Sequence, residues 1–146
     1  MRVVALDPGG TTGLAFNHND QILISQIDTP NHNQDLRDIL NRLDPAVVVC
    51  EDFLFRQSKT KVDLVSRDYI GVARLWCDDN GRELVLQTPA AGKAFWTDDK
   101  LKALGYYTPA MPHANDAVRH LLYYFTFTCD DNYYLMRLKD VRENSL

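Results

Sequence analysis

Two short runs, "VVALD" at 3–7 and "AVVVCE" at 46–51, limit what this chain can fold into more than anything else in it. Each is apolar without interruption and then stops on a carboxylate, Asp7 or Glu51. A strand that is apolar on both sides must be covered on both faces, so helices must flank the sheet that holds it. A carboxylate at the end of a buried strand is costly unless something pairs with it. Asp7 precedes Pro-Gly-Gly, so it is either a turn-former or the partner of a positive charge.

The rest of the chain supplies the cover. "TGLAF" and "QILISQI", separated by the turn signal "NHND", continue from strand 2–7 as a meander of three strands. "NQDLRDILNRL" at 33–43 puts Leu36, Ile39, Leu40 and Leu43 on one helical face, and Asp44-Pro45 ends it. A helix over about 60–79 carries two apolar stripes, Val62, Val65, Tyr69, Val72 and Trp76 on one, Leu64, Ile70, Ala73 and Cys77 on the other. "ELVLQ" at 83–87 is a further strand, and Thr88-Pro89 reads as a helix cap and first turn. A short helix at 97–105 ends at Gly105, and another runs from Pro112 to about Thr126. Residues 128–146 carry no pattern that places them. The expected fold is α/β: a five-stranded mixed sheet, three strands in an antiparallel meander and two parallel to the first, flanked by helices.

The length of 146 residues suits one domain over 1–146 with a substantial core. The three cysteines, Cys50, Cys77 and Cys129, are far apart and read as reduced, buried and small, in no metal-ligand spacing. No signal peptide or long apolar span is present, so a soluble cytoplasmic protein with no membrane partner is expected. A net charge of −4 argues mildly against broad nucleic-acid binding, but the basic residues cluster. Arg56, Lys59, Lys61, Arg67 and Arg74 fall within nineteen residues, 56–74.

A third acid lies in "MPHANDAVRHLLYYF". Ala114, Ala117, Val118, Leu121, Leu122 and Phe125 form the core stripe of that helix; His113, Asp116 and His120 share an adjacent one. Taken singly, Asp7 is a turn residue, Glu51 a solvated strand end, Asp116 a helix-dipole partner, and the histidines surface or core groups. Taken together, three acids and an imidazole at one point would repel unless cations neutralised them. Hard oxygen donors with one imidazole suit Mg²⁺ or Mn²⁺. Paired ions of this kind activate water and stabilise the leaving oxygen in phosphodiester hydrolysis.

"LDPGGTTGLAF", "VVVCEDF", "QTPAAGKAFWTDDKLKALG" and "HANDAVRH", in this order, resemble the RuvC-type Holliday junction resolvases of the ribonuclease H-like superfamily, and their phage-type branch in particular. The resemblance runs from about residue 2 to 125. It implies a homodimeric, metal-dependent endonuclease that resolves four-way DNA junctions with two Mg²⁺ ions, or Mn²⁺ in their place. It makes Asp7, Glu51 and Asp116 the catalytic acids, with His113 a metal ligand or a base that assists the attacking water. Lys93 and Lys100 resemble the family's two lysines near the scissile phosphate. Arg56, Lys59, Lys61 and Arg67 are further candidates for phosphate contact. The family's junction-wedging aromatic falls at Leu54, flanked here by Phe53 and Phe55, either of which can stack on a base or sit in the core. "AFWTDD" stands where the family has a Gly-x-Gly loop between the lysines.

Three other readings remain. "DPGGTTG" also resembles the phosphate loop of actin- and hexokinase-type ATPases, but those need two such domains with ATP between them, so no nucleotide cofactor is expected. A resolvase-like fold can grip branched DNA without cutting it. The same chemistry can also act on forks, flaps or RNA–DNA hybrids. For the dimer, one stripe of the 60–79 helix is the candidate interface, with Val62, Val65, Tyr69, Val72 and Trp76 as its core or as the sheet-facing mate, unless both stripes bury within the chain.

Overall fold

The computed structural model describes residues 1–28, 32–52 and 61–145, and of 61–64 the backbone alone. Five strands form one sheet: β1 (Val3–Asp7), β2 (Thr12–His18), β3 (Gln21–Ile27), β4 (Val47–Glu51) and β5 (Glu83–Gln87). Their order is β3-β2-β1-β4-β5. β1–β2 and β2–β3 pair antiparallel, β1–β4 and β4–β5 parallel. This is the mixed sheet expected from the sequence, with the apolar runs β1 and β4 at its centre.

The β2–β3 turn is tight because Asn19 and Asp20 both take positive φ, 48° and 64°. The crossovers between parallel strands are α1 (His32–Leu43), between β3 and β4, and α2 (Lys61–Asn80), between β4 and β5. Both cover one face, where Leu36, Leu40, Tyr69, Ile70, Ala73, Trp76 and Cys77 bury against Val4, Leu6, Leu14, Val48 and Cys50. The Trp76 indole N–H donates to Asn41 Oδ1 at 2.9 Å, tying the two helices together.

The two stripes of α2 therefore merge into one intramolecular core, which corrects the interface reading. Tyr69 and Trp76 from one stripe are buried beside Ile70, Ala73 and Cys77 from the other. The physical reason is position: α2 packs against α1 on one side and against β4 and β5 on the other. Val65 and Val72 are partly buried on the same core; the side chains of Val62 and Leu64 lie outside the described residues.

The opposite face is covered by α5 (Pro112–Tyr123), which crosses β1 and β2. Its core stripe, Ala114, Ala117, Val118, Leu121 and Leu122, is buried, and each large apolar member contributes about 1.5–3 kcal/mol by leaving water. Two short helices precede it. α3 (Pro89–Phe95) has Thr88 at its N-cap and Pro89 in its first turn, as the sequence indicates, though the Thr88 side chain makes no cap bond. α4 (Asp98–Leu104) is capped at its start by Thr97, which accepts from the Lys100 N–H, and closed by Gly105 at φ 77°.

Three differences from the sequence reading lie at the C-terminal end. The helix from Pro112 ends at Tyr123 and continues as a wider π turn over Tyr124–Thr128. Residues 133–144 then form α6 (Tyr133–Asn144), which packs on α4 through Tyr134 and Leu138. Cys129 is exposed in the connection between them, not buried as expected; Cys50 and Cys77 are buried. Among the described residues no helix is long and apolar enough to cross a membrane.

Candidate active site

Strand parity aims both strand-end acids at the same face. Val3 and Ala5 of β1, and Val47 and Val49 of β4, belong to the α5-side core, so Asp7 and Glu51 point to that side too. β1 and β4 are hydrogen-bonded neighbours running in parallel, which brings their carboxyl ends together. Gln87, opposite Glu51 on β5, faces the same way.

The start of α5 closes over this end. Gly13 lies opposite Asp7 on β2, and a Cβ there would sit 1.9 Å from the His113 carbonyl oxygen. Only glycine lets the first turn of α5 come so close to the sheet. That approach sets His113 Nδ1 3.2 Å from Asp7 Oδ2. One turn on, Asp116 is bonded by Arg119 Nη1 at 2.6 Å through Oδ1 and approached by Lys93 Nζ at 3.5 Å through Oδ2. Arg119 also donates through Nε to the Trp96 carbonyl and through Nη2 to Asp98, so it anchors the α3–α4 turn to α5. At the far end of the site, His120 Nε2 lies 2.9 Å from Glu51 Oε2.

The electrostatics follow from crowding. Asp7 is pushed up to about 9 by burial first, then by its hydrogen bond with Glu51 and by the charges of Glu51 and Asp116, with Lys93 pulling the other way. Glu51 is also raised by burial, but hydrogen bonds from His120 and Asp7, and the charges of His120 and Lys93, outweigh it and hold the group below its ordinary value. Burial raises Asp116, and Lys93 opposes that rise. Burial and the neighbouring acids thus favour the protonated form of Asp7, while the groups around Glu51 favour its ionised form.

The structure accordingly gathers Asp7, Glu51, His113, Asp116 and Lys93 at one end of the sheet. Lys100 is not among them: its ammonium lies over the Phe95 ring, 3.4 Å from the centroid, and burial lowers its pKa. Arg67 is exposed on α2, beside Ser66, whose hydroxyl donates to the Pro8 carbonyl at 3.0 Å just past Asp7. Phe53, Phe55, Arg56 and Lys59 lie outside the described residues, as does the side chain of Lys61. Of His120, Gln87 and Arg119, which hold the acids in place, the sequence singled out His120 alone, as a member of the α5 stripe. Only the i, i+3, i+7 spacing of His113, Asp116 and His120 pointed toward one of them.

The donor set suits a hard divalent cation: three carboxyl groups and one imidazole, with one of the three, Asp7, held toward its protonated form by burial and by the other two acids. The carboxylates are meanwhile engaged by basic side chains, and among the described residues no three of His, Cys, Asp and Glu stand in a metal-ligating arrangement. Lys93, 56% exposed, is the most readily displaced of those cations.

No protein-family model and no curated protein matches the chain. Solved structures do. T. thermophilus RuvC in complex with a Holliday junction substrate is 17% identical, with a TM-score of 0.69, and the match covers 90% of this chain and 97% of that one. A second Thermus thermophilus RuvC structure matches at 17% identity and TM-score 0.65, over 89% of this chain and 96% of that one. The yeast mitochondrial Holliday junction resolvase Ydc2 matches at 11% identity and TM-score 0.52, over 97% and 81%. At such identities the likeness speaks for architecture alone: the chain has the ribonuclease H-like fold of RuvC.

Proposed function

We propose that this protein is a metal-dependent endonuclease of the RuvC type, from its phage-type branch, that resolves four-way DNA junctions. The observation that carries the reading is the meeting of Asp7, Glu51, His113 and Asp116 at the carboxyl ends of β1 and β4, where ligands bind in sheets of this kind. Asp7, Glu51 and Asp116 would hold Mg²⁺ or Mn²⁺, with His113 either a further ligand or the group that orients the attacking water. When bound, such ions activate water and stabilise the leaving oxygen of a phosphodiester, and a pair of them does both.

The side chains divide the remaining work. His113, 43% exposed, is the group best placed to orient a water entering from solvent. Lys93, the exposed partner of the half-buried Asp116, gives up that ion pair for a DNA phosphate. Arg119 holds Asp116 in place during that exchange. Arg67, Arg56, Lys59 and Lys61 extend the phosphate contacts, Lys100 adds one at the α3–α4 edge, and Phe53 or Phe55 stacks on an opened base. A junction offers two equivalent strands, which a closed two-fold dimer matches. Sedimentation at micromolar concentration checks the dimer, and a monomer there counts against it.

The direct test incubates the protein and Mg²⁺ or Mn²⁺ with a labelled four-way junction, a fork, an RNA–DNA hybrid and plain duplex. The expected result is paired cuts in the junction and none in duplex. Preference for forks or hybrids would move the substrate and keep the chemistry. Binding without cleavage by the wild type would make the protein a binding module. His113→Ala should be as damaging as Asp7→Asn if the imidazole holds a metal, and milder if it only orients water.

A further inference from the structure

The seventh residue beyond His113 on α5 is a second histidine, and its surroundings are more fully determined than those of the first. His120 is 1% exposed, with Nδ1 2.7 Å from Gln87 Oε1 and Nε2 2.9 Å from Glu51 Oε2. Gln87 is itself buried, and its Nε2 donates to the His120 backbone carbonyl at 3.2 Å. A backbone carbonyl can only accept, so the Gln87 amide has one orientation: nitrogen to the carbonyl, oxygen to the ring. An amide oxygen likewise only accepts, so the His120 Nδ1 carries a hydrogen and donates it. The ring can neither flip nor rotate without losing a buried bond, and its Nε2 is thereby aimed at Glu51 Oε2 with one hydrogen between them, since an ionised carboxylate only accepts.

We propose that Gln87 and His120 are positioning residues that clamp Glu51 through Oε2 and so fix how its carboxylate meets Asp7. The proposal rests on Glu51 belonging to a metal site, as argued above, but the clamp is a property of the metal-free protein. Three elements contribute: Gln87 ends β5 in register with Glu51 at the end of β4, and α5 supplies the ring. Partners of this kind orient a metal-binding carboxylate, and their loss typically weakens metal binding about 10–100-fold.

Two substitutions separate positioning from packing. His120→Gln keeps a donor near the place of Nε2, within reach of Glu51; His120→Asn keeps a polar group near the place of Nδ1, facing Gln87, and leaves Glu51 unheld. Both put an amide in the same buried space. Mn²⁺ titration should give His120→Gln near wild type and His120→Asn weaker by about tenfold or more. In the metal-free wild type, the ring Nδ1–H should give a protected, slowly exchanging NMR resonance that Gln87→Leu abolishes. Equal Mn²⁺ affinities for the Gln and Asn variants, or no protected Nδ1–H in the wild type, would overturn the proposal. Should the affinity order and the ring proton be found while no branched DNA is cut, the nuclease reading fails and the clamp stands.

Discussion

The ends of β1 and β4 lie side by side on one face of the sheet and each carries a carboxyl, but they are supported differently. Glu51 has a buried ring bonded to one of its oxygens, and that ring is itself fixed by Gln87. Asp7 has a half-exposed histidine at 3.2 Å and two acids as neighbours. One acid stays ionised readily, while the other is held protonated to about pH 9 by burial and by the first. Asp7 is the more deeply buried of the two and lacks the fixed ring that stands behind Glu51, and both differences push the pair apart. The β4 end is preassembled, whereas the β1 end is short of positive charge and is where a cation would be most strongly drawn.

The sharpest way to break this contrast is Asp7→Asn. If the carboxylate meets a metal, cleavage should fall by about 10³-fold or more, because a bound ion supplies several kcal/mol of charge stabilisation. Junction binding should persist, and a variant that cuts at the wild-type rate would place the active site elsewhere. The same substitution should stabilise the metal-free fold at pH 8. A raised pKa means the folded state holds a proton the unfolded chain has released, so Asp7 costs stability as pH rises from about 4 to about 9. The gain in Tm should therefore shrink as pH falls toward 4, and thermal melts in chelator from pH 4 to 9 would show it.

Glu51→Gln should also abolish cleavage, with the opposite effect on the fold. Its lowered pKa contributes stability that is present above about pH 4.5 and is lost as pH falls below that. Removing the charge beside His120 should cost about 1–3 kcal/mol at pH 7. Melts in chelator that moved the Asp7 and Glu51 variants in the same direction would dissolve the contrast between the two ends.

Gly13→Ala acts on the β1 end alone. Its Cβ would lie within 2.6 Å of three backbone atoms of His113 and Ala114, none of which can turn aside. The first turn of α5 must lift, costing about 3 kcal/mol or more and drawing His113 away from Asp7. Denaturant unfolding measures the loss, and a protected His120 ring proton in this variant would show that the β4 end is undisturbed. The smallest effect is expected for Lys93→Ala. Junction affinity should fall a few-fold, with the slope of log K on log salt smaller by about 0.9, the value for one phosphate contact. An unchanged slope would mean that Lys93 serves Asp116 and not DNA.

Much of this arrangement was legible in the chain. The apolar runs of β1 and β4 required a sheet covered on both faces, and the meander, the crossovers and the α5 core stripe follow from periods of two and 3.6 residues. The acids that end the strands were visible because a carboxylate is anomalous after such a run. His120 was visible as the third member of a helical stripe, but nothing in its own neighbourhood distinguished a buried clamp from a surface histidine. Gln87 looked like the polar end of a strand. α2 was misleading in a different way: two apolar stripes suggested a spare face, and packing against both α1 and the sheet consumed them.

Sequence by itself determined the elements and the direction in which their side chains alternate, because backbone sterics and burial act over a few residues at a time. Tertiary structure alone decided the states of the acids. Asp7 and Glu51 stand 44 positions apart and His120 another 69, as read from their numbers. Whether each carboxyl is charged depends on the groups that strand pairing and the close approach at Gly13 bring within a few ångströms of it. Coulomb and desolvation energies depend on distance through space, and no local pattern along the chain carries that distance.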